Sequence, residues 1–162
     1  MIYLILIFSF LFESAFSNII PKTSFLSPIF LLTSLVLLYP YFKNKYLNFI
    51  LVCIFCGLFY DICFTNSLFI NTLIFFLSSF LIILGFNYIN YNIYSSNILN
   101  LIIIVIYRFI SYILLCVVDY ISFNKIILSG IYNSILANII YGIIMYIIIN
   151  LIAKIFNIKK SD

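Results

Sequence analysis

Four ionisable side chains lie inside apolar runs of the sequence and are the first candidates for chemistry: Glu13, Asp61, Arg108 and Asp119. A charge in the hydrocarbon region of a membrane is costly, so such residues mark functional sites or points where helices are held together. Asp61 is the most informative of them, because the apolar run that contains it is broken only afterwards, at the polar residues 65–67. A second apolar run follows directly.

Arg108 must find a carboxylate or a carbonyl group on another helix, or extend its side chain to the membrane interface. Asp119 follows it by eleven residues, which places the two on one helix face but about 16 Å apart along the axis. We therefore predict Asp61 as the first candidate partner of Arg108 and Glu13 as the second. Two roles are open for these charges: they could lock the packing of the helices, or they could form part of a functional site.

Gly57 precedes Asp61 by four residues and shares its helix face. A glycine at this position lets another backbone come close, so that groups of that backbone could meet the Asp61 carboxylate. The alternative is a glycine that only relieves packing.

The sequence lacks the motifs of common catalytic sites, such as GxSxG, HExxH or a Walker loop. It has no histidine, which removes a common metal ligand and the usual proton carrier near neutral pH. One CxxC pair, Cys53 and Cys56, lies in an apolar run without the second pair that a zinc site needs. We interpret the cysteines as small buried hydrophobic residues, and we expect no enzyme activity, no cofactor and no metal.

The composition indicates that lipid is the main solvent of this chain. Hydrophobic residues make up 67% of it and charged residues 7%, whereas soluble domains are about half apolar and about a quarter charged. The sequence therefore predicts one all-α integral membrane domain over residues 1–162, in contact with membrane lipid. The net charge of +4 comes from dispersed basic residues, a pattern typical of membrane orientation, and we expect no nucleic-acid partner.

Apolar runs of about 20 residues predict a bundle of six transmembrane helices. They lie at about Ile2–Ser17, Phe25–Phe42, Tyr46–Phe64, Leu68–Tyr88, Ile98–Ile121 and Ile126–Ala153. The second run is the shortest and contains Pro28 and Pro40, so a re-entrant segment is an alternative there. A polar loop is predicted at Asn90–Asn97. Residues 14–17 are loosely similar to a signal-peptide cleavage site. We nevertheless expect the first run to be retained as a helix, because it lacks a basic n-region and contains Glu13 late in the run.

The lysine distribution predicts that both termini face the cytoplasm. Six spans place the termini on one side, which carries five lysines against two in the opposite loops. The five are Lys43, Lys45, Lys154, Lys159 and Lys160, and the two are Lys22 and Lys125. In this orientation Glu13, Asp61 and Asp119 lie in the outer part of the bilayer, and Arg108 lies nearer its middle.

The order of these features resembles the family of the rod-shape-determining membrane protein MreD. Recurrent features of that family are a proline before the second span, a Gly-x-x-x-Asp near the end of the third, and an LGxNAL-like start to the fourth. The corresponding residues here are Pro28, Gly57 to Asp61, and Leu68 to Leu73, which includes Asn71. Phe69 and Thr72 stand where the family usually has glycine and alanine. The specific likeness covers residues 28–84, and beyond it the chain is similar in length and hydropathy.

The resemblance implies a non-enzymatic component of the bacterial cell-elongation machinery in the inner membrane. Proteins of this family associate with the bitopic protein MreC and, through it, with the MreB cytoskeleton and the synthases of the lateral cell wall. The implied fold is a six-helix bundle similar to the substrate-binding subunits of energy-coupling-factor transporters. Gly57, Asp61, Asn71 and Arg108 are our candidates for partner-binding or structural residues.

Two other functions are open. The fold similarity admits a small-molecule-binding subunit of a vitamin transporter, which recognises its ligand with polar and aromatic side chains in outward loops. The outer loops here are short and contribute few such groups: Lys22, Asn66, Ser67 and Lys125. A membrane enzyme that uses the outer acidic residues is the third possibility, but no nucleophile and base pair supports it.

Overall fold

The structure, a computed structural model, describes residues 2–19, 28–42, 45–65, 69–119 and 126–157. These residues form six α-helices, and no β-strand occurs among them. The helices are α1 (Ile2–Ile19), α2 (Phe30–Leu38), α3 (Tyr46–Tyr60), α4 (Ile70–Tyr88), α5 (Ile93–Asp119) and α6 (Ile126–Ile155). A 3₁₀ turn at Tyr39–Tyr41 extends α2, and a π-helical turn at Asp61–Thr65 extends α3.

Four helical segments in the described part of the chain are long and apolar enough to cross a membrane. They are Tyr46–Phe64, Ile70–Tyr88, Ile93–Leu114 and Ile135–Ile155, of 19 to 22 residues, close to the length that a bilayer requires. Two shorter apolar helices accompany them, at Ile2–Ser17 and Phe30–Tyr41. The protein is therefore a multi-pass membrane helical bundle, and the predicted number of six helices agrees with the structure.

The short helix α2 lies at the centre of the bundle. Each of its nine residues is buried, and it packs against α1, α5 and α6. Pro28 lies just before it, and Pro40 follows its end, where a residue without a backbone N–H cannot continue the α-helix. Nine residues rise only about 14 Å, so α2 crosses about half of a hydrocarbon core of about 30 Å. The re-entrant alternative for the second predicted span stays open.

The start of α5 corrects the predicted loop at Asn90–Asn97. The helix begins at Ile93 instead of Ile98, so Asn97 lies inside it. The reason is local: Asn97 Nδ2 donates a hydrogen bond to the Ile93 carbonyl oxygen, 2.8 Å away and one turn earlier. A polar side chain that forms a hydrogen bond within its own helix lowers the hydropathy of that sequence segment, but it does not end the helix.

The other predicted boundaries differ little from the observed ones. α4 begins at Ile70 instead of Leu68, and α6 continues to Ile155 instead of Ala153. Several predicted features lie outside the described residues: the start of the second span at Phe25, the end of the fifth at Ile121, and the loop lysines Lys22, Lys43 and Lys125.

Candidate functional site

The Asp61 carboxylate caps the N-terminus of α4. Its two oxygens accept hydrogen bonds from the backbone N–H groups of Asn71 and Thr72, at 3.0 and 2.8 Å. They also accept bonds from Asn71 Nδ2 and Thr72 Oγ1, at 3.0 and 2.7 Å. Because α4 begins at Ile70, these N–H groups belong to its first turn and have no acceptor within the helix. The carboxylate also lies at the positive end of the helix dipole, where an anion is stabilised.

Gly57 makes this cap sterically possible. A Cβ atom at Gly57 would lie 2.6 Å from Thr72 Cα and 3.1 Å from the Asn71 carbonyl oxygen. Any larger residue would therefore push α3 away from the first turn of α4 and lengthen the hydrogen bonds to Asp61. The close approach of a second backbone that the sequence suggested for Gly57 is the contact between α3 and α4.

Phe69 turns the chain into α4. Its backbone has φ 65° and ψ 3°, which is the left-handed region that favours glycine because a Cβ atom is strained there. The Phe69 side chain is 63% exposed, so burial of the ring does not compensate for this strain within the bundle.

Asn71 connects the cap to α5. Its backbone and side-chain nitrogens donate to Asp61, and its Oδ1 accepts a hydrogen bond from Tyr107 OH. Asn71 is 5% exposed, and its side-chain amide is used both as donor and as acceptor. The chain of contacts from Asp61 through Asn71 to Tyr107 ties α3, α4 and α5 together.

Glu13 is a second carboxylate cap. It is 1% exposed and accepts hydrogen bonds from the Leu31 backbone N–H at 2.9 Å and from Tyr60 OH at 2.8 Å. Leu31 lies in the first turn of α2, which begins at Phe30. Each described buried carboxylate thus caps the helix that comes next in the chain. We call Glu13, Tyr60, Asp61, Asn71 and Tyr107 the capped cluster.

Arg108 lies at the capped cluster as well. Its charge acts on the Glu13 carboxyl group and on the Tyr60 and Tyr107 hydroxyl groups. The structure thus brings Arg108 into electrostatic range of Glu13, its second predicted partner. The burial of Asp61 is explained instead by four hydrogen-bond donors from α4. Pairing of Arg108 with Asp61 stays a prediction, and the side chain of Asp119 lies outside the described residues.

Polar contacts that the sequence reasoning missed hold α2 between α1 and α6. The hydroxyl groups of Ser9, Ser34 and Tyr141 form a triangle with oxygen separations of 2.7, 2.8 and 3.1 Å. Asn138 Oδ1 accepts hydrogen bonds from the Ile29 N–H and from Thr33 Oγ1, both at 3.1 Å. The available signal was the presence of serine and asparagine within apolar runs, where each polar group needs a partner.

The acceptor positions of Asp61 are used by α4. An ionised carboxylate has about four lone-pair sites, and Asp61 receives four donors from α4 alone. In the described ranges no three histidine, cysteine or acidic side chains are grouped so that they could hold a metal ion. The cluster positions two helix starts at one end of the bundle.

Comparisons with known proteins identify no relative: no family model, no curated protein and no solved structure matches this chain. The function is therefore argued from the site and from the sequence resemblance.

Proposed function

We propose that this protein is a non-enzymatic scaffold of the bacterial cell-elongation machinery in the inner membrane, similar in role to MreD. The observation that carries the proposal is that the residues of the resemblance form one interlocked unit. Gly57 and Asp61 lie one turn apart at the end of α3, and both contact the first turn of α4, which follows Asp61 by about ten residues.

The family features have a common physical reason in this unit. The glycine of Gly-x-x-x-Asp admits the α4 backbone, and the aspartate caps that helix. The glycine of the LGxNAL-like pattern corresponds to Phe69, whose backbone has the left-handed conformation that glycine tolerates best. The asparagine corresponds to Asn71, which donates to Asp61. A likeness that came only from an apolar composition would not require these residues to depend on one another.

In this proposal the capped cluster shapes the scaffold, and the partner binds elsewhere. The lone-pair sites of Asp61 receive donors from α4, so the carboxylate is better suited to fixing the α3–α4 hairpin than to binding MreC directly. With both termini in the cytoplasm, the capped cluster lies in the outer half of the membrane, on the side of the periplasmic part of a bitopic partner. MreB and the cell-wall synthases associate through that complex.

The test is depletion of the protein in its own bacterium, combined with affinity purification from a mild detergent extract. We expect rod-shaped cells to become round and the bitopic coiled-coil partner to co-purify. The Asp61→Ala variant should lose abundance and partner together, whereas Cys63→Ala, at an exposed position two residues away, should keep both. Normal cell shape with a defect in vitamin uptake would overturn the proposal and favour the small-molecule-binding transporter subunit.

A further inference from the structure

Three polar side chains near the start of α5 contain buried atoms that the described residues leave without a hydrogen-bond partner. These atoms are Ser96 Oγ, Asn97 Oδ1, and both Nδ2 and Oδ1 of Asn100. Ser96 is 0% exposed and Asn100 is 1% exposed. We call these three residues the α5 cluster.

Such groups are rarely left without partners in a native protein. Buried polar atoms are almost always bonded to the protein or to an ordered water molecule, and buried waters concentrate where several unsatisfied groups converge. The requirement is stronger within a membrane, where lipid tails provide neither donors nor acceptors. The α5 cluster therefore requires a small guest that can both donate and accept hydrogen bonds.

The three members of the α5 cluster lie within two turns of α5, and its two asparagines lie beside the same residue of α6. Ser96 and Asn100 are four residues apart, on one face of α5. A Cβ atom built on Gly142 of α6 would lie 2.5 Å from Asn97 Oδ1 and 3.6 Å from Asn100 Nδ2, so both amides lie beside the same glycine. The cluster is thus located where α5 meets α6.

A groove between α5 and α6 lies beside the α5 cluster. It has a volume of about 400 Å³, and Asn97 is its polar member. Its walls are apolar, and Tyr94, Ile98 and Ile143 among them are 80%, 56% and 40% exposed. The groove therefore opens on the outer, lipid-facing surface of the bundle, and Asn97 marks the point where the cluster comes nearest to that surface.

We propose that Ser96, Asn97 and Asn100 form a binding site for water inside the bundle, beside the contact of α5 with Gly142 of α6. Water matches the chemistry of the site, since it donates to Asn97 Oδ1 and Asn100 Oδ1 and accepts from Asn100 Nδ2. The Ser96 hydroxyl can serve in either direction. The site is independent of the function proposed above, because it uses none of the residues of the capped cluster.

An apolar layer separates this water from the capped cluster. Ile103 and Ile104 lie on α5 between Asn100 and Tyr107 and are 1% and 0% exposed. Bound water therefore reaches Asn100 but does not reach Asn71, although both asparagines are buried.

The test compares these two asparagines in the full protein in lipid nanodiscs. The protein is labelled with 15N in its asparagine side chains, the resonances of Asn71 and Asn100 are assigned, and magnetisation transfer from water to each amide is measured by NMR. We expect a water cross-peak at Asn100 Nδ2 and none at Asn71 Nδ2, which donates a hydrogen bond to Asp61 Oδ1. Absence of the cross-peak at Asn100, or an equal one at Asn71, would overturn the proposal.

Two serine variants assign the water to the cluster. Ser96→Ala removes a polar group of the site, so the cross-peak at Asn100 should be lost or weakened. Ser79→Ala is the matched control, because Ser79 is 0% exposed but its hydroxyl donates to the Phe76 carbonyl oxygen within α4. An unchanged Asn100 cross-peak in Ser96→Ala, with the fold intact by circular dichroism, would rule out the α5 cluster as the site.

Discussion

The capped cluster and the α5 cluster are both polar and buried, but they differ in how their groups are satisfied. In the capped cluster, Glu13 and Asp61 accept hydrogen bonds from the first turns of α2 and α4. In the α5 cluster, Ser96 and Asn100 have buried polar atoms for which the described residues supply no partner. The carboxylates of the first cluster are bonded within one chain, and for the second cluster we propose bound water.

The difference shows that a charge within a membrane bundle is not by itself a functional site. A helix that begins inside a bundle exposes N–H groups, and a carboxylate from the preceding helix is a suitable acceptor for them. The more informative residues are the uncharged ones in the α5 cluster, because nothing else in the described structure explains their burial. Four measurements of the free energy of unfolding test the role of the capped cluster in this contrast.

The largest effect is expected for Asp61→Ala. This substitution removes four hydrogen bonds and leaves two N–H groups of α4 without an acceptor in an apolar environment, so the free energy of unfolding should fall by about 3 kcal/mol. Unfolding of the purified protein in detergent micelles measures the change. An unfolding free energy equal to that of Cys63→Ala would mean that the cap does not stabilise α4.

Gly57→Ala should have the next largest effect. The new methyl group meets the α4 backbone at Thr72, which cannot move alone, and overpacking of this kind costs about 2 kcal/mol. Gly85→Ala is the matched control, since its methyl group meets the end of the flexible Leu99 side chain. Equal losses of unfolding free energy in the two variants would show that the approach of α3 to α4 is not specially tight.

The partner of Arg108 can be identified by two double-mutant cycles. Because its charge acts on Glu13, we expect Glu13→Gln and Arg108→Met to show a coupling of about 1 kcal/mol in unfolding free energy. The cycle of Asp61→Asn with Arg108→Met should show a smaller coupling. A larger coupling in the Asp61 cycle would restore the pairing that the sequence suggested first.

The smallest effect, and the only stabilising one, is expected for Phe69→Gly. Glycine relieves the strain of the left-handed backbone at this exposed position, but it also increases the entropy of the unfolded chain. The net effect should be a rise in the free energy of unfolding of about 0.5 kcal/mol. Phe80→Gly, at an exposed position inside α4, should instead lower it by about 1 kcal/mol. Destabilisation by Phe69→Gly would mean that the phenylalanine ring makes contacts in the membrane that outweigh the strain.

Much of the fold could be predicted because helix positions depend on the free energy of moving each segment's side chains from water into lipid. Runs of apolar residues located most helix ends to within a few residues. Two starts differ by five residues: α2 begins at Phe30 instead of Phe25, and α5 begins at Ile93 instead of Ile98, where Asn97 bonds within its own helix. The position of Gly57 and Asp61 on one helix face was predictable from helical periodicity. The interlocking of that face with α4 is what the structure adds.

Composition and hydropathy were sufficient to predict a membrane helical bundle with its carboxylates in apolar segments. The hydrogen-bond partners of those carboxylates required the fold, because Glu13 and Asp61 bond to groups that follow them by 18 and 10 residues. Such bonds depend on where one helix ends and the next begins in space, on the missing Cβ of Gly57, and on the left-handed turn at Phe69. Hydropathy and periodicity describe one segment at a time, whereas a hydrogen bond between helices requires the positions of both.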